Sequence, residues 1–176
     1  RKAGGVYYTP KYIVDYIVEQ TLGPLVEEAA GKVAGQRPEA DREIKRLERK
    51  RKEREKARDA GRTERRAAQD VIDRLTAQIE ARRQHLLEPY LSHKVLDPAM
   101  GSGHFLVGAA DFLSLAAATD PNVLPPAEMG DEDSQAFYKR LVVERCLYGV
   151  DLNPLSVELA KLSLWLHTVS KDKALS

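Results

Sequence analysis

The residues best placed to do chemistry form one run, Val95-Leu96-Asp97-Pro98-Ala99-Met100-Gly101-Ser102-Gly103-His104-Phe105-Leu106. It reads as a short apolar strand ending on a carboxylate, a tight turn with two glycines, and the start of an apolar helix. A strand that hands over to a helix through glycines gathers backbone N–H groups and a helix N-terminus around one small concavity, which suits a nucleotide-like ligand. The glycines let a ligand approach the backbone, and Asp97 offers an acceptor to a cationic or hydroxylic group. A dinucleotide fingerprint would place a third glycine three residues after Gly103, where this chain has Leu106. The acid that reads an NAD ribose would follow by roughly 20 residues, whereas the next strand-end acid here is Asp151.

Two further segments belong with this run. Leu147-Tyr148-Gly149-Val150-Asp151-Leu152-Asn153-Pro154 is a second apolar strand ending on an acid, followed by the amphipathic stretch from Leu155 to Leu166. A carboxylate at the end of a neighbouring strand can accept two hydrogen bonds from a ribose diol. Near the start, Gly5-Val6-Tyr7-Tyr8-Thr9-Pro10 precedes a helix beginning about Lys11. Read locally, that segment is a helix entry with Thr9 capping and Pro10 at the first helical position.

The Asp-Pro-x-x-Gly-Ser-Gly run resembles motif I of the S-adenosylmethionine-dependent methyltransferases that modify the exocyclic amino group of adenine in DNA. The Asp151 strand resembles motif II, and the Tyr-Tyr-Thr-Pro segment resembles motif X, which precedes motif I in this branch. The combination is similar to the large adenine methyltransferases of bacterial restriction–modification and phage-defence systems, over residues 1–30 and 92–170. The resemblance implies an α/β fold, the N-terminal half of a Rossmann-like sheet, with S-adenosylmethionine as cofactor. It implies cofactor contacts from Tyr7, Tyr8, Thr9, Asp97, Pro98, Ala99, Gly101, Gly103, Phe105, Asp151 and Leu152, with Asp97 facing the ammonium group. The implied reaction is methyl transfer to adenine N6 within a specific DNA sequence. The implied partners are double-stranded DNA, met by the full-length protein, and the remaining methylase and target-recognition regions.

The catalytic Asn/Asp-Pro-Pro-aromatic motif of that family accepts hydrogen bonds from the flipped adenine and stacks on it. Asn153-Pro154-Leu155-Ser156 lacks the second proline and the aromatic, and it reads as a helix start after Asp151. The catalytic residues are therefore expected beyond Ser176, and this piece alone is expected to be inactive and to bind the cofactor weakly. Two other classes stay open: a nucleotide-binding oxidoreductase, disfavoured by Leu106, and a non-catalytic DNA-binding or assembly module with a methyltransferase-like shell.

The elements that must position these residues are unequal in character. The chain has 176 residues, 43% of them hydrophobic, enough for one domain. Only two core strands stand out, about 94–97 and 147–151, and a doubly wound sheet needs more to cover both faces. Residues 37–66 hold 14 Lys/Arg against 8 Asp/Glu, an excess of six positive charges, with Ile44 and Leu47 the large aliphatics. From Ala67, the residues Ala68, Ile72, Leu75, Ile79, Arg82 and Leu86 recur at helical steps, and Asp59-Ala60-Gly61-Arg62 is the best break. This predicts a helical hairpin, about 38–59 and 63–88. It reads either as a basic arm touching DNA phosphates or as a spacer laced with i,i+4 ion pairs. The expected division is 1–35 for the motif X segment and first helix, 36–91 for the inserted hairpin and 92–176 for the cofactor-binding half. Residues 119–134 read as a proline-containing surface loop before a short helix at about 135–146.

The formal charge of +1 carries no global nucleic-acid signature. Cys146 is the single cysteine, which excludes an internal disulfide and reads as a small buried hydrophobe in a reducing compartment. With no apolar stretch of membrane-spanning length and no evident signal peptide, a cytoplasmic location is expected. The start at Arg1 rather than Met reads as a trimmed piece of a longer polypeptide. His85, His93 and His167 have no partner at metal-ligand spacing, and Trp165 falls on the apolar face of the last helix and reads as core.

Overall fold

The computed structural model describes residues 9–61 and 64–169. Its first element, α1 (Lys11–Asp59), is one continuous helix of 49 residues, followed antiparallel by α2 (Arg65–Leu91). The remaining order is β1 (Val95–Asp97), α3 (His104–Thr119), α4 (Ser134–Cys146), β2 (Leu147–Gly149) and α5 (Pro154–Thr168), with a single 3-10 turn at Ala127–Met129. β1 and β2 pair in parallel, with Val95 opposite Leu147 and Asp97 opposite Gly149. The chain is thus predominantly helical around a small two-stranded parallel sheet, an arrangement compatible with the expected α/β class.

The hairpin break falls where the sequence puts it, but the hairpin's first arm does not begin at 38. The helix entered at Lys11 runs past the expected boundary at 35 and 36 without interruption, through Pro24 and Pro38. A proline inside a helix removes one backbone hydrogen bond and costs roughly 3 kcal/mol in isolation. Tertiary contacts outweigh that cost here. Val33 and Ala40 are buried in the core on either side of Pro38, and the Arg37 guanidinium bonds Asp41 at 2.8 Å and the Pro121 and Asn122 carbonyls at 3.1 and 2.9 Å. α2 likewise continues through Pro89, because Leu86, Leu87, Tyr90 and Leu91 are all buried.

The core forms where the lower halves of α1 and α2 meet α3 and α4. α3 contributes Ala109, Leu113 and Ala117, and α4 contributes Phe137, Tyr138, Val142 and Cys146. Each fully buried large aliphatic is worth about 1.5–3 kcal/mol over its exposed state. Three polar ties lock the assembly. The Tyr90 hydroxyl donates to Asp120 at 2.8 Å, with burial foremost, and then that bond, raising its pKa. Arg145 of α4 makes a two-pronged bond to Glu88 of α2. The loop after α3 is fastened to the hairpin base through Gln84–Glu128 and the Ala127 N–H to Glu80. The 119–134 loop is therefore a packed strap, with Val123 and Pro126 buried.

One side of this core is bare among the described residues. Leu96, Tyr148 and Val150 at the sheet, and Leu155, Leu159 and Leu162 on α5, are all exposed. Trp165 belongs to that bare face at 48% exposure, so the expectation that it is core does not hold. α5 meets the core through Ser156 and Ala160 alone among its buried residues, which leaves the Trp165 stripe without a covering element. Among the described residues no helix is long and apolar enough to cross a membrane.

Candidate cofactor site

The parallel ladder continues past β1 and β2 into the two acid-bearing turns. The Val150 N–H donates to the Asp97 carbonyl at 2.9 Å and the Met100 N–H to the Val150 carbonyl at 3.0 Å. These bonds set the Asp97 and Asp151 turns side by side at the C-terminal ends of adjacent strands. The Gly101 N–H then donates to Asp151 Oδ2 at 2.9 Å, tying the glycine turn to the second strand. Gly149 permits this closeness, since a Cβ there would lie 2.1 Å from Met100 Sδ and 2.8 Å from Leu106 Cδ1.

The two glycines of the turn have different tasks. Both hold positive φ, 52° at Gly101 and 86° at Gly103, where a side chain is strained. At Gly101 a Cβ would meet nothing within 4 Å, so its surface is open. At Gly103 a Cβ would lie 3.1 Å from Ala160 Cβ and 3.2 Å from its Cα. Gly103 therefore serves the close passage of α5 past the start of α3, and its N–H is taken by the Met100 carbonyl at 2.8 Å. The sequence assigns both glycines to a ligand; of the two, Gly101 has open space where a Cβ would stand and Gly103 is packed against Ala160.

The carboxylates also differ. Asp151 Oδ1 accepts from the Asn153 N–H at 2.8 Å and its Oδ2 from Gly101. Asn153 in turn caps α5, accepting from the Leu155 N–H at 3.0 Å with Pro154 at the first helical position, so this Asn-Pro is the helix start that its sequence indicates. Asp97 Oδ1 accepts from the Ala99 N–H at 3.0 Å, whereas Asp97 Oδ2 is buried and has no hydrogen-bond partner among the described residues. A buried, unpartnered carboxylate oxygen is costly, on the order of 1–3 kcal/mol or more. Such an atom marks a place for a donor.

Asp97 and Pro98 line a cavity of about 300 Å³ whose other walls are apolar except for Thr21, chiefly Ile17, Leu22, Phe105 and Leu106. Helix α1 thus delivers the segment following Thr9 to the Asp97 corner; the cap position is Pro10 rather than the expected Thr9, with no side-chain capping bond, and Thr9 is half-buried before it. Tyr7 and Tyr8 lie outside the described residues. Ala99 is exposed on the turn, and Leu152 projects fully into solvent. His104 Nδ1 lies 2.9 Å from Ser102 Oγ across the turn. The α1 residues in the cavity wall, Ile17, Val18, Thr21 and Leu22, escaped the sequence reading. Their signal was the four-residue step Val14, Val18, Leu22, the buried seam of this first helical stretch.

The uncompensated Asp97 carboxylate against an apolar wall fits a cationic, partly apolar group, whereas the N-terminus of α3 favours an anionic one. The chain is 29% identical over 174 residues to a putative type II restriction enzyme and methyltransferase of Methanocaldococcus jannaschii. That match covers 96% of this chain and 12% of the relative, so the chain spans about an eighth of the length of the curated relative it matches. No solved structure matches it. The family model described as N-6 DNA Methylase matches residues 76–175, a span that holds both acid-ended strands, the glycine turn between them and the helix that closes on it, and the chain belongs to that family.

Proposed function

We propose that this chain is the cofactor-binding portion of a site-specific DNA methyltransferase that transfers a methyl group from S-adenosylmethionine to adenine N6 in a restriction–modification or phage-defence polypeptide. The observation that carries the reading is the buried Asp97 Oδ2, without a partner among the described residues, on an acid that lines a largely apolar cavity. When bound, S-adenosylmethionine supplies an electrophilic methyl on its sulfonium. The chain's own part is positional. Asp97 accepts from the ammonium group in a charge-assisted bond, the Ile17–Phe105 wall excludes water from the methionine chain, and Asp151 takes ribose hydroxyls on the lone pairs its backbone bonds leave free. The remaining assigned contacts, Tyr7, Tyr8, Thr9, Pro98, Ala99, Gly103, Phe105 and Leu152, are part of this proposal, as is the Rossmann-like sheet. The bare apolar face at Leu96, Val150 and α5 supports such a sheet, since further elements would cover it.

The adenine-holding groups are proposed to lie elsewhere in a longer polypeptide, and this portion alone is inactive in this reading. Transfer of radiolabelled methyl from S-adenosylmethionine to duplex DNA by the full-length protein tests it. Label recovered as N6-methyladenine, lost on Asp97→Asn, is the expected result; label on cytosine, or none with the cofactor bound, overturns it.

A further inference from the structure

The outer half of the α1–α2 hairpin lies beyond the cofactor corner, and most of it precedes the span matched by the family model. On α1, Arg42, Lys45, Arg46, Arg49, Lys52 and Lys56 recur at three- and four-residue steps and are all exposed. They share the face opposite Ile44, which is buried against α2. The acids of the hairpin are largely spent on inward or neighbouring arginines: Glu43 on Arg82, Glu48 on Arg83, Glu55 on Arg51 and Asp59 on Arg58. What faces outward is therefore a cationic stripe, with Glu53 the one acid on it. Arg42 Nε bonds the Pro38 carbonyl at 3.2 Å; the side chains of the other five make no hydrogen bond or ion pair among the described residues.

A helix whose surface serves solubility alternates signs at i,i+4. Here Arg42–Arg46, Lys45–Arg49 and Lys52–Lys56 are like-charged at that spacing, each pair unfavourable by about 0.2–0.5 kcal/mol. The outward face of α2, with Arg66, Asp70, Asp73 and Arg74, shows the ordinary mixture. The stripe spans about 21 Å at 1.5 Å per residue, the rise of about six base pairs. It is also held in a fixed direction, because Arg37, Glu80 and Gln84 clamp the hairpin base to the strap after α3.

We infer that the outer face of α1 over residues 42–56 is a duplex-DNA contact surface that lies along the phosphate backbone. The inference rests on the reading above only in taking DNA as the polyanion at hand. The stripe carries no aromatic side chain to stack on unpaired bases, so it suits a duplex rather than a single strand. Long cations without bidentate base-reading partners position DNA rather than read it.

The test uses the full-length polypeptide with Lys45, Arg49, Lys52 and Lys56 all changed to Gln, and a control with Arg66→Gln and Arg74→Gln on α2. Binding of a 30-base-pair fluorescent duplex is followed by anisotropy across a salt titration. The quadruple variant is expected to lose about 2–4 units of log–log salt slope and at least about tenfold in affinity at 0.1 M salt, equally for every sequence. The control and the S-adenosylmethionine affinity should stay at parent values. Arg49→Gln alone should remove about 0.9 of a unit, which keeps the test open if the quadruple variant folds poorly. Unchanged slope and affinity in correctly folded variants overturn the inference, as does tighter binding of duplex RNA than of DNA. Methyl transfer by the parent is scored separately: slope loss without methylation sinks the functional reading alone, and methylation without slope loss sinks this inference alone.

Discussion

β1 ends on Asp97 and β2 is followed two residues later by Asp151, and both acids turn into a helix within a few positions, yet their carboxylates stand in opposite states. Both oxygens of Asp151 are engaged by backbone N–H groups, one on its own turn and one on the glycine turn of the neighbouring strand. Asp97 bonds its own turn through Oδ1 and keeps Oδ2 buried and unpartnered among the described residues. A satisfied carboxylate is a structural tie. An unsatisfied one is a cost to the fold. The same strand–acid pattern therefore divides into a carboxylate with both oxygens engaged by the backbone and one with an oxygen left over.

The sharpest way to break the comparison is at the close contact between the glycine turn and α5. Gly103→Ala places a side chain at φ 86° and 3.2 Å from the Ala160 backbone. It should destabilise the protein by about 2–4 kcal/mol, combining left-handed strain with overpacking, as read by urea unfolding. A change under about 1 kcal/mol would mean that α5 is free to move away.

Asp151→Ala should follow, at about 1–3 kcal/mol, because two backbone donors lose their acceptor. Asp97→Asn should behave in the other sense. The amide keeps an acceptor for the Ala99 N–H while removing a buried charge, so stability should stay within about 1 kcal/mol of the parent or rise. Equal losses at the two aspartates would erase the distinction between the corners.

The smallest effect concerns Cys146, whose thiol is buried under β2, 3.6 Å from the Leu91 carbonyl. Burial is the first cause holding its pKa above the ordinary thiol value. The folded state thus favours the neutral thiol. Its contribution is whole below the unfolded thiol's pKa and declines as pH rises through that value toward the raised folded one. At pH 8, labelling by a thiol reagent should be slow in native protein and fast in urea; rapid native labelling would show that the β1–β2 corner opens readily.

The motif corner was legible because its determinants are local. Asp97 Oδ1, Asp151 Oδ1 and the Asn153 cap each bond a backbone N–H two residues on, so spacing and residue type carried them. The break at 59–62 and the apolar seam of α2 were legible for the same reason. The continuity of α1 was not. Pro38 signals a helix boundary by local rules, and the packing of Val33 and Ala40 with the Arg37 clamp on the distant 121–122 carbonyls overrides it. The task of Gly103 was equally hidden, because it depends on Ala160 in a helix 50 residues or more further on. Trp165 misled through composition: its apolar stripe is genuine, but no described element covers it.

Calorimetric titration of S-adenosylmethionine into the full-length protein, comparing the parent with Asp97→Asn at matched folded fraction, tests the central claim most directly. A carboxylate oxygen reserved for the cofactor's ammonium predicts an affinity loss of about 10- to 150-fold, the worth of one charge-assisted hydrogen bond, with unfolding stability unchanged or improved. Parent-like affinity in Asp97→Asn would contradict the account, and the cofactor's seat would have to be sought away from the Asp97 corner.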